Sequence, residues 1–402
     1  MPQDLRPVVA HVNRGAFTPS QTFVYFFVSH LKFFRAVCLA EEIANLETFP
    51  FPRGDIYRIA PGRFPFWDFY RRWRYGPLGM DAAKAIQALR TTGAQCIHAH
   101  FGPNGYFSLA LRRALKIPLV TSFYGYDVTK LSREEEWRTK YRELFCEGDC
   151  FLVEGPVMRF RLAELGCPPE KIRIQRIGVP VAKMAPPVRS KTRDKTVIVF
   201  CGRFVEKKGL KYALRALAEV KRTKDRFEFR VIGDGPEKQK VSELIGRLGL
   251  NGHVKLLGFL NYDRYLDELG RADMLLQPSV TAADGDTEGG APTVILEAQA
   301  LGVPVISTTH ADIPSVVVPG KSAVLSPERD VELLSRNILF LLKNPGVRQD
   351  MGLRGREFVG EHHDIRKEAP RLEAIYQSLI EARPRSWPEE GASLRGKITT
   401  AI

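Results

Sequence analysis

The chain has 402 residues, of which 44% are hydrophobic and 26% charged, and its formal net charge is +14 at pH 7. This composition is typical of a globular protein and excludes a disordered or fibrous chain, while the length favours two hydrophobic cores over one. The sequence contains neither an uncharged apolar run of membrane-spanning length nor a CxxC pair among its six cysteines, so we predict no transmembrane helix, disulfide framework or zinc site. The polar first residues are unlike a signal peptide, and a cytoplasmic location is therefore expected.

Two segments near the start of the chain have the same predicted order of elements. Residues 8–31 predict a strand, a loop over residues 13–20 that includes Gly15, and a helix. Residues 94–115 likewise predict a strand, a loop over residues 100–105 and a helix. In an open parallel sheet such loops lie beyond the carboxyl ends of the strands, where ligands bind.

Polar side chains accompany the second of these loops and the loop after it. His98 and His100 are near the end of a predicted strand, and we expect only one of them to face the core side. His100, nearest the loop, is the preferred polar contact, and a structural role is the alternative. Residues 116–129 predict a further strand and a loop containing FYGYDV. Its Tyr124 can donate a hydrogen bond, but an ordinary tyrosine pKa near ~10 makes it no acid or base at neutral pH.

The excess of positive charge has a candidate explanation in residues 62–76, where arginines alternate with aromatic side chains (GRFPFWDFYRRWRYG). Arginine with Trp, Tyr and Phe is the composition of a segment that binds the membrane interface, and anionic lipid headgroups attract basic proteins. The alternative is a segment whose aromatic rings pack on the first domain. No nucleic-acid-binding motif accompanies the charge, so nucleic acid is not an expected partner.

The second half of the chain follows a proline-rich, charged stretch that predicts a linker at residues 186–195. Residues 197–200 form a continuous apolar run, as expected for a strand buried on both faces. Gly202 then turns the chain before a pattern of helical period begins. Arg203 and Lys208 therefore extend from the connection at the carboxyl end of a parallel strand, where ligands bind.

Two further strands are predicted, and each ends near glycine. Residues 229–238 predict a strand, a tight turn that contains Gly233 and the start of a helix. Residues 253–260 predict another strand, which ends near Gly258. Glycine at such positions lets the backbone approach a ligand closely.

Residues 284–300, DGDTEGGAPTVILEAQA, contain the most informative pattern. A glycine-rich loop precedes an apolar helix, and such a loop presents free amides and the positive end of the helix dipole to phosphate. Glu288 lies in the loop, and Glu297 lies just over one turn further on, where it can accept hydrogen bonds from sugar or ribose hydroxyls. Two carboxylates that bracket an anion site indicate a nucleotide-sugar ligand. The other candidate binding residues here are Gly289, Gly290, Ala291, Pro292 and Thr293.

These segments resemble the signature of the large retaining glycosyltransferase family 4. The resemblance rests on GRFVEKKG and EGGAPTVILEA, with GDGP between them in the expected order. It implies an α/β protein of GT-B architecture, in which two Rossmann-like domains with parallel sheets face each other across a cleft. It also implies transfer of a sugar from a nucleotide diphosphate sugar, with a UDP-sugar favoured, to an acceptor hydroxyl. The expected setting is polysaccharide or glycolipid synthesis at the inner face of the membrane, with a sugar, lipid-linked or small-molecule acceptor.

The resemblance assigns roles to single residues. Arg203 and Lys208 match the residues that hold the donor diphosphate, Glu297 would bind the ribose, and Glu288 would contact the donor sugar or its phosphate loop. The loop around Gly15 would approach the junction of donor and acceptor.

Further residues follow from the same match. Gly125 and Asp127 match a glycine and an aspartate of the family, and Asp127 either contacts a sugar or acceptor or orders its loop. Tyr124 replaces a histidine that helps to hold the donor sugar. The nucleotide pocket would be lined by Gly202, Gly233 and Gly258.

Three further departures from the family pattern accompany these matches. Eight residues separate Glu288 from Glu297 where the family usually has seven. Either the loop carries one extra residue, which we favour, or Gly289 occupies the first acidic position. Asp312 and Ala323 stand where glycine is common among relatives.

The implied domains are an acceptor-side domain over residues 1–185 and a nucleotide-sugar domain over residues 196–365. A helix over residues 366–382 would return to the first domain, and residues 383–402 would form a mobile tail. We expect no metal or other cofactor, because the two cations can neutralise the leaving diphosphate, and we do not interpret DGD at 284–286 as a metal site. The alternative function is a catalytically silent nucleotide-binding partner in a glycosyltransferase complex.

Overall fold

The computed structural model describes residues 4–18, 21–59, 81–186 and 194–382. The basic aromatic segment at 62–76, the predicted tail at 383–402 and most of the predicted linker lie outside these ranges. Within them, none of the helices combines the length and the apolar character that crossing a bilayer would require.

The first domain is built on a parallel sheet. Its strands in chain order are β1 (Val8–Val12), β2 (Gly15–Ala16), β3 (Arg35–Ala40), β4 (Glu42–Ile43), β5 (Ile56–Arg58), β6 (Ala94–His100), β7 (Leu119–Ser122), β8 (Cys150–Val153) and β9 (Ile172–Ile174). Seven of them pair in the order β5-β3-β1-β6-β7-β8-β9, and β2 pairs with β4 alone. Since β1, β6, β7 and β8 are almost wholly buried, the sheet is covered on both faces, as parallel sheets are.

Helices cover this sheet. They are α1 (Thr22–His30), α2 (Ala82–Thr92), α3 (Gly102–Leu115), α4 (Tyr126–Thr129), α5 (Glu135–Glu147) and α6 (Pro156–Glu164). Helix α2 shows how local sequence sets the ends of an element. Asp81 caps its first turn by accepting the N–H groups of Ala83 and Lys84 at 3.0 and 3.1 Å, and Gly93 ends it in the left-handed conformation with φ 68°.

The second domain repeats the plan with six parallel strands. They are β10 (Thr196–Cys201), β11 (Phe227–Ile232), β12 (Val254–Gly258), β13 (Met274–Gln277), β14 (Val305–Thr308) and β15 (Ala323–Ser326), in the order β12-β11-β10-β13-β14-β15. Its helices are α7 (Leu210–Thr223), α8 (Lys238–Arg247), α9 (Tyr262–Gly270), α10 (Thr293–Ala300), α11 (Val331–Lys343) and α12 (Pro345–His362). Strand β10 and helix α7 coincide with the strand and helix predicted around Arg203.

The last described helix, α13 (Ile365–Glu381), packs on the first domain. Its Tyr376 is fully buried against α1 and β6 residues of that domain. One oxygen of Glu373 accepts the backbone N–H groups of Lys32, Phe33 and Phe34 at 2.7, 2.7 and 3.1 Å. The helix therefore ties the end of the described chain to the start of β3.

The two domains also touch across the cleft. The Asp312 carboxylate, in the second domain, accepts the backbone N–H groups of Val157 and Met158 at 2.8 and 3.1 Å. These amides lie in the first turn of α6, where the helix itself provides them with no carbonyl partner, so Asp312 acts as a cap supplied by the other domain. The position where relatives often have glycine thus carries an interdomain contact.

Candidate active site

Two cavities meet between the domains, at the carboxyl ends of the strands. The first has a volume of about 320 Å³ and its wall includes Gly202, Arg203, Lys208, Gly233, Thr293 and Glu297. The second has a volume of about 300 Å³ and its wall includes Gln21, Phe101, Tyr124, Glu154, Lys208 and Glu288. The four residues that line both cavities are Arg203, Lys208, Pro292 and Thr293.

Arg203 and Lys208 follow β10 and form the cationic part of the shared wall. The Lys208 ammonium donates to Glu288 Oε2 at 2.7 Å, and the Ser279 hydroxyl donates to the other carboxylate oxygen at 2.8 Å. Burial works to raise the pKa of Glu288, but the charges of Lys208 and Lys207 outweigh it and lower that pKa. Among the described residues Arg203 makes no ion pair and is exposed. The two cations are thus placed to meet an anion. Lys208 is held in position by its ion pair with Glu288.

Glu297 lies on α10 in the wall of the first cavity and is almost fully buried. Tyr262 donates to its Oε1 at 3.0 Å, and Tyr265 donates a short hydrogen bond to its Oε2. Burial raises the pKa of Glu297 to about 7, although the two hydroxyls act to lower it. The side chain is therefore close to half protonated at neutral pH.

Tyr124 faces the second cavity and is backed by histidines. Its hydroxyl lies 2.7 Å from His100 Nδ1, and His100 Nε2 lies 3.1 Å from His11 Nδ1. His98 bonds through its two ring nitrogens to Tyr376 and Ser122. Two predictions for the histidines of β6 therefore need correction: that only one of them faces the core side, and that His100 contacts a ligand.

His98 and His100 share one face, with ring centroids 4.3 Å apart, because residues two apart on a strand point the same way. His100 is fully buried and lines neither cavity, so it supports Tyr124 rather than contacting a ligand. Burial lowers the pKa of both rings well below the usual value.

The ring nitrogens of His11, His98 and His100 lie within 4.8 Å of one another, as metal ligands would. However, both nitrogens of His98 and of His100 already have partners within the protein. All three rings are buried as well. The cluster is therefore better explained as support for the strand ends than as a metal site.

Asp127 is fully buried beneath the FYGYDV loop. Its Oδ1 accepts the N–H groups of Tyr124 and Gly125 at 3.2 and 2.9 Å, and its Oδ2 accepts that of Gly102 at 3.0 Å. Of the two alternatives for Asp127, the structure places it in the role that orders the loop. A direct catalytic contact would require this carboxylate to leave three backbone donors.

The remaining predicted residues occupy different places. Gly202, Gly233, Pro292 and Thr293 line the first cavity, and Ala291 lines the second. A β-carbon at Gly125, whose φ is +146°, would overlap the Glu288 carbonyl of the other domain, so this glycine permits a close approach of the two domains. Besides His100 and Asp127, the predicted residues outside both cavity walls are Gly15 in β2, Gly258 at the end of β12, and Gly125, Gly289 and Gly290 at the domain contact.

Comparison with known proteins decides which family has this arrangement. Residues 185–358 match the family model described as glycosyl transferases group 1, and residues 40–183 match that of glycosyltransferase family 4. The putative colanic acid biosynthesis glycosyltransferase WcaL of Escherichia coli K12 is 35% identical over 278 residues, which are 68% of each chain. The chain belongs to the group 1 glycosyltransferases.

A further relative agrees with this assignment, and two solved structures agree with the fold. The amylovoran biosynthesis glycosyltransferase AmsK of Erwinia amylovora is 36% identical over 247 residues, 60% of each chain. The sucrose-phosphate synthase of Thermosynechococcus elongatus matches 94% of this chain and 100% of its own with a TM-score of 0.74 at 16% identity. HepE of Anabaena, solved with UDP and glucose, matches 92% of this chain and 99% of its own with a TM-score of 0.74 at 16% identity. The predicted GT-B architecture is confirmed.

Some cleft residues of this glycosyltransferase were not predicted from the sequence. Glu154 directly follows the buried strand β8 and lines the second cavity. Its position after an apolar run was the same signal that identified Arg203. Tyr262 and Tyr265 had no such signal, because their partner Glu297 lies more than thirty residues further along the chain.

The carboxylates of the DGD sequence in this glycosyltransferase are engaged with lysines. Asp284 accepts from Lys130 of the first domain at 2.7 Å, and Asp286 accepts from Lys207 at 3.0 Å. Lys207 also donates to the Thr287 carbonyl at 2.9 Å. The segment thus helps to hold the glycine-rich loop and its Glu288 in place.

Proposed function

We propose that this glycosyltransferase moves a sugar from a nucleotide diphosphate sugar, with a UDP-sugar favoured, to an acceptor hydroxyl with retention of configuration. The observation that carries the proposal is the wall between the two cavities, where Arg203 and Lys208 each line both cavities. A nucleoside in the first cavity and a sugar in the second would place the connecting diphosphate against both cations. The complexes of HepE with UDP and with UDP-glucose support the choice of a uracil nucleotide.

The chemistry follows from the charges. Arg203 and Lys208 would stabilise the negative charge that grows on the leaving diphosphate, the main electrostatic demand of the reaction, without a metal ion. Glu288, held by Lys208, would contact the donor sugar or its phosphate loop. The leaving phosphate would itself help to deprotonate the acceptor in a front-face displacement. That route requires no strong base from the first domain, which agrees with the burial of Asp127.

The acceptor and setting are part of the same proposal. The names of WcaL and AmsK refer to colanic acid and amylovoran, and they support polysaccharide synthesis with a sugar or lipid-linked acceptor. We place the enzyme in the cytoplasm, at the inner face of the membrane through residues 62–76. Co-sedimentation with anionic vesicles tests this placement. Undiminished binding after replacement of Arg71, Arg72, Trp73 and Arg74 contradicts it.

Hydrolysis of a panel of UDP-, GDP- and ADP-sugars, with calorimetry of the free nucleotides, tests the main proposal. Arg203→Ala should lower turnover by about a hundredfold or more, since a well-placed charged donor contributes about 3 kcal/mol to the barrier. Arg222→Ala is the matched control, because Arg222 is 78% exposed on α7 of the same domain and outside both cavities. Near-normal turnover of Arg203→Ala would refute the assignment.

A catalytically silent nucleotide-binding partner is the second candidate, favoured by Tyr124 in place of the usual histidine. Nucleotide binding without hydrolysis or transfer of any panel member would support it.

Activity that disappears with EDTA and returns with manganese would contradict the metal-independent mechanism.

A further inference from the structure

Glu154 is a carboxyl side chain of the first domain that reaches a loop of the second. It follows β8, and its Oε2 accepts the backbone N–H of Ala291 at 3.2 Å. A β-carbon at Gly290 would overlap the same oxygen, so a larger residue at this position would displace the Glu154 carboxyl group. The glycine-rich loop is thus shaped to receive Glu154, and not only a phosphate group.

The surroundings of Glu154 match those of a sugar-binding group. It lines the second cavity together with Tyr124, Lys208 and Glu288. Among the described residues its Oε1 has no hydrogen-bond partner. One oxygen is therefore held by the loop of the second domain, while the other is available to a ligand in the cavity.

The protonation state of Glu154 suits a hydroxyl partner. Burial raises its pKa well above the ordinary value, and the carboxylates of Asp312, Asp127 and Glu288 add to that effect. A protonated carboxyl group both donates and accepts hydrogen bonds, as a sugar hydroxyl does. It also introduces no negative charge beside the leaving diphosphate.

We propose that Glu154 binds a hydroxyl group of the transferred sugar and thereby contributes to donor-sugar specificity. This inference rests on the proposed function. The donor rather than the acceptor is indicated because Glu154 is bonded to the loop that carries Glu288, which is paired with Lys208. A sugar attached to a diphosphate at Lys208 lies at this end of the cavity.

Calorimetry with UDP and UDP-glucose, or with GDP and GDP-mannose if the wild-type protein prefers guanine, tests the proposal. Glu154→Ala should weaken binding of the intact donor by about tenfold or more, while the free nucleotide keeps its affinity within about twofold. Donor hydrolysis without acceptor should fall in parallel. Glu154→Gln should retain most of both, because its amide oxygen can accept from Ala291 and its NH₂ group can donate to the sugar.

The outcomes separate this inference from its premise. Glu164→Ala is the control, because Glu164 is exposed at the end of α6 in the same domain. Unchanged donor affinity in Glu154→Ala, or equal weakening of donor and free nucleotide, overturns the inference. Normal donor hydrolysis with impaired transfer also overturns it, since Glu154 would then serve the acceptor. A wild-type protein that binds no nucleotide overturns the proposed function itself.

Discussion

Nucleotide binding should release a proton from Glu297, and the Glu297→Gln variant should lose that release. In the free protein the pKa of Glu297 is raised to about 7 by burial, so about half of these side chains carry a proton at pH 7. Ribose hydroxyls that donate to the carboxylate favour its charged form and lower the pKa. If binding returns the pKa to an ordinary ~4.3, release is about 0.9 proton at pH 6, about half a proton at pH 7 and about 0.1 at pH 8.

The same shift sets the pH dependence of affinity. Since the free protein binds the extra proton, nucleotide binding should strengthen by about tenfold between pH 6 and pH 8. The nucleotide phosphate also titrates in this pH range, but its contribution is the same for the wild type and for Glu297→Gln. The difference between wild type and Glu297→Gln therefore isolates the carboxyl group.

Calorimetry in two buffers of different ionisation enthalpy measures the released protons. Tyr265→Phe provides a second test that keeps the carboxyl group. Because the Tyr265 hydroxyl acts to lower the pKa of Glu297, its loss should raise that pKa and increase the release at pH 7 towards one proton. Equal proton release by wild type and both variants would refute the reasoning.

Two further substitutions test the cleft. Asp312→Ala should cost about 0.5–2 kcal/mol in the free energy of unfolding through the lost cap of α6, and small-angle scattering should show a larger radius of gyration. Asp330→Ala, which removes a cap within the second domain, should match the first effect without the second, and equal radii for the two variants would contradict the interdomain role. Tyr124→Phe should lower the free energy of unfolding by about 1–3 kcal/mol, because His100 loses its buried partner. It should also lower sugar turnover while nucleotide affinity stays the same. Tyr25→Phe is its control, since that hydroxyl bonds at an exposed site, and equal destabilisation of the two variants would count against the buried pair.

Much of the fold could be predicted because its signals are local. The apolar run before Gly202 and the helical pattern after it produced the observed β10 and α7, and the glycine-rich loop indeed opens α10. The position of Arg203 and Lys208 after a buried strand could be predicted for the same reason, because it depends on neighbouring residues.

The predictions that were wrong or left open concern side chains whose positions depend on packing between distant segments. The prediction for the histidines of β6 overlooked that alternation places residues two apart on one face, and nothing in the sequence showed His11 or Tyr376 beside them. Asp127 left two roles open until its three backbone donors were seen.

By itself the sequence determined the order of strands and helices, and the loops at their carboxyl ends that carry the cations and Glu288. These depend on periodicity and on glycine, which act over a few residues. Only the tertiary structure decided that Glu154 meets Ala291 across the cleft and that Glu297 is buried between two tyrosines. Such contacts join segments far apart in the chain, and the burial they create sets the charge of each carboxyl group.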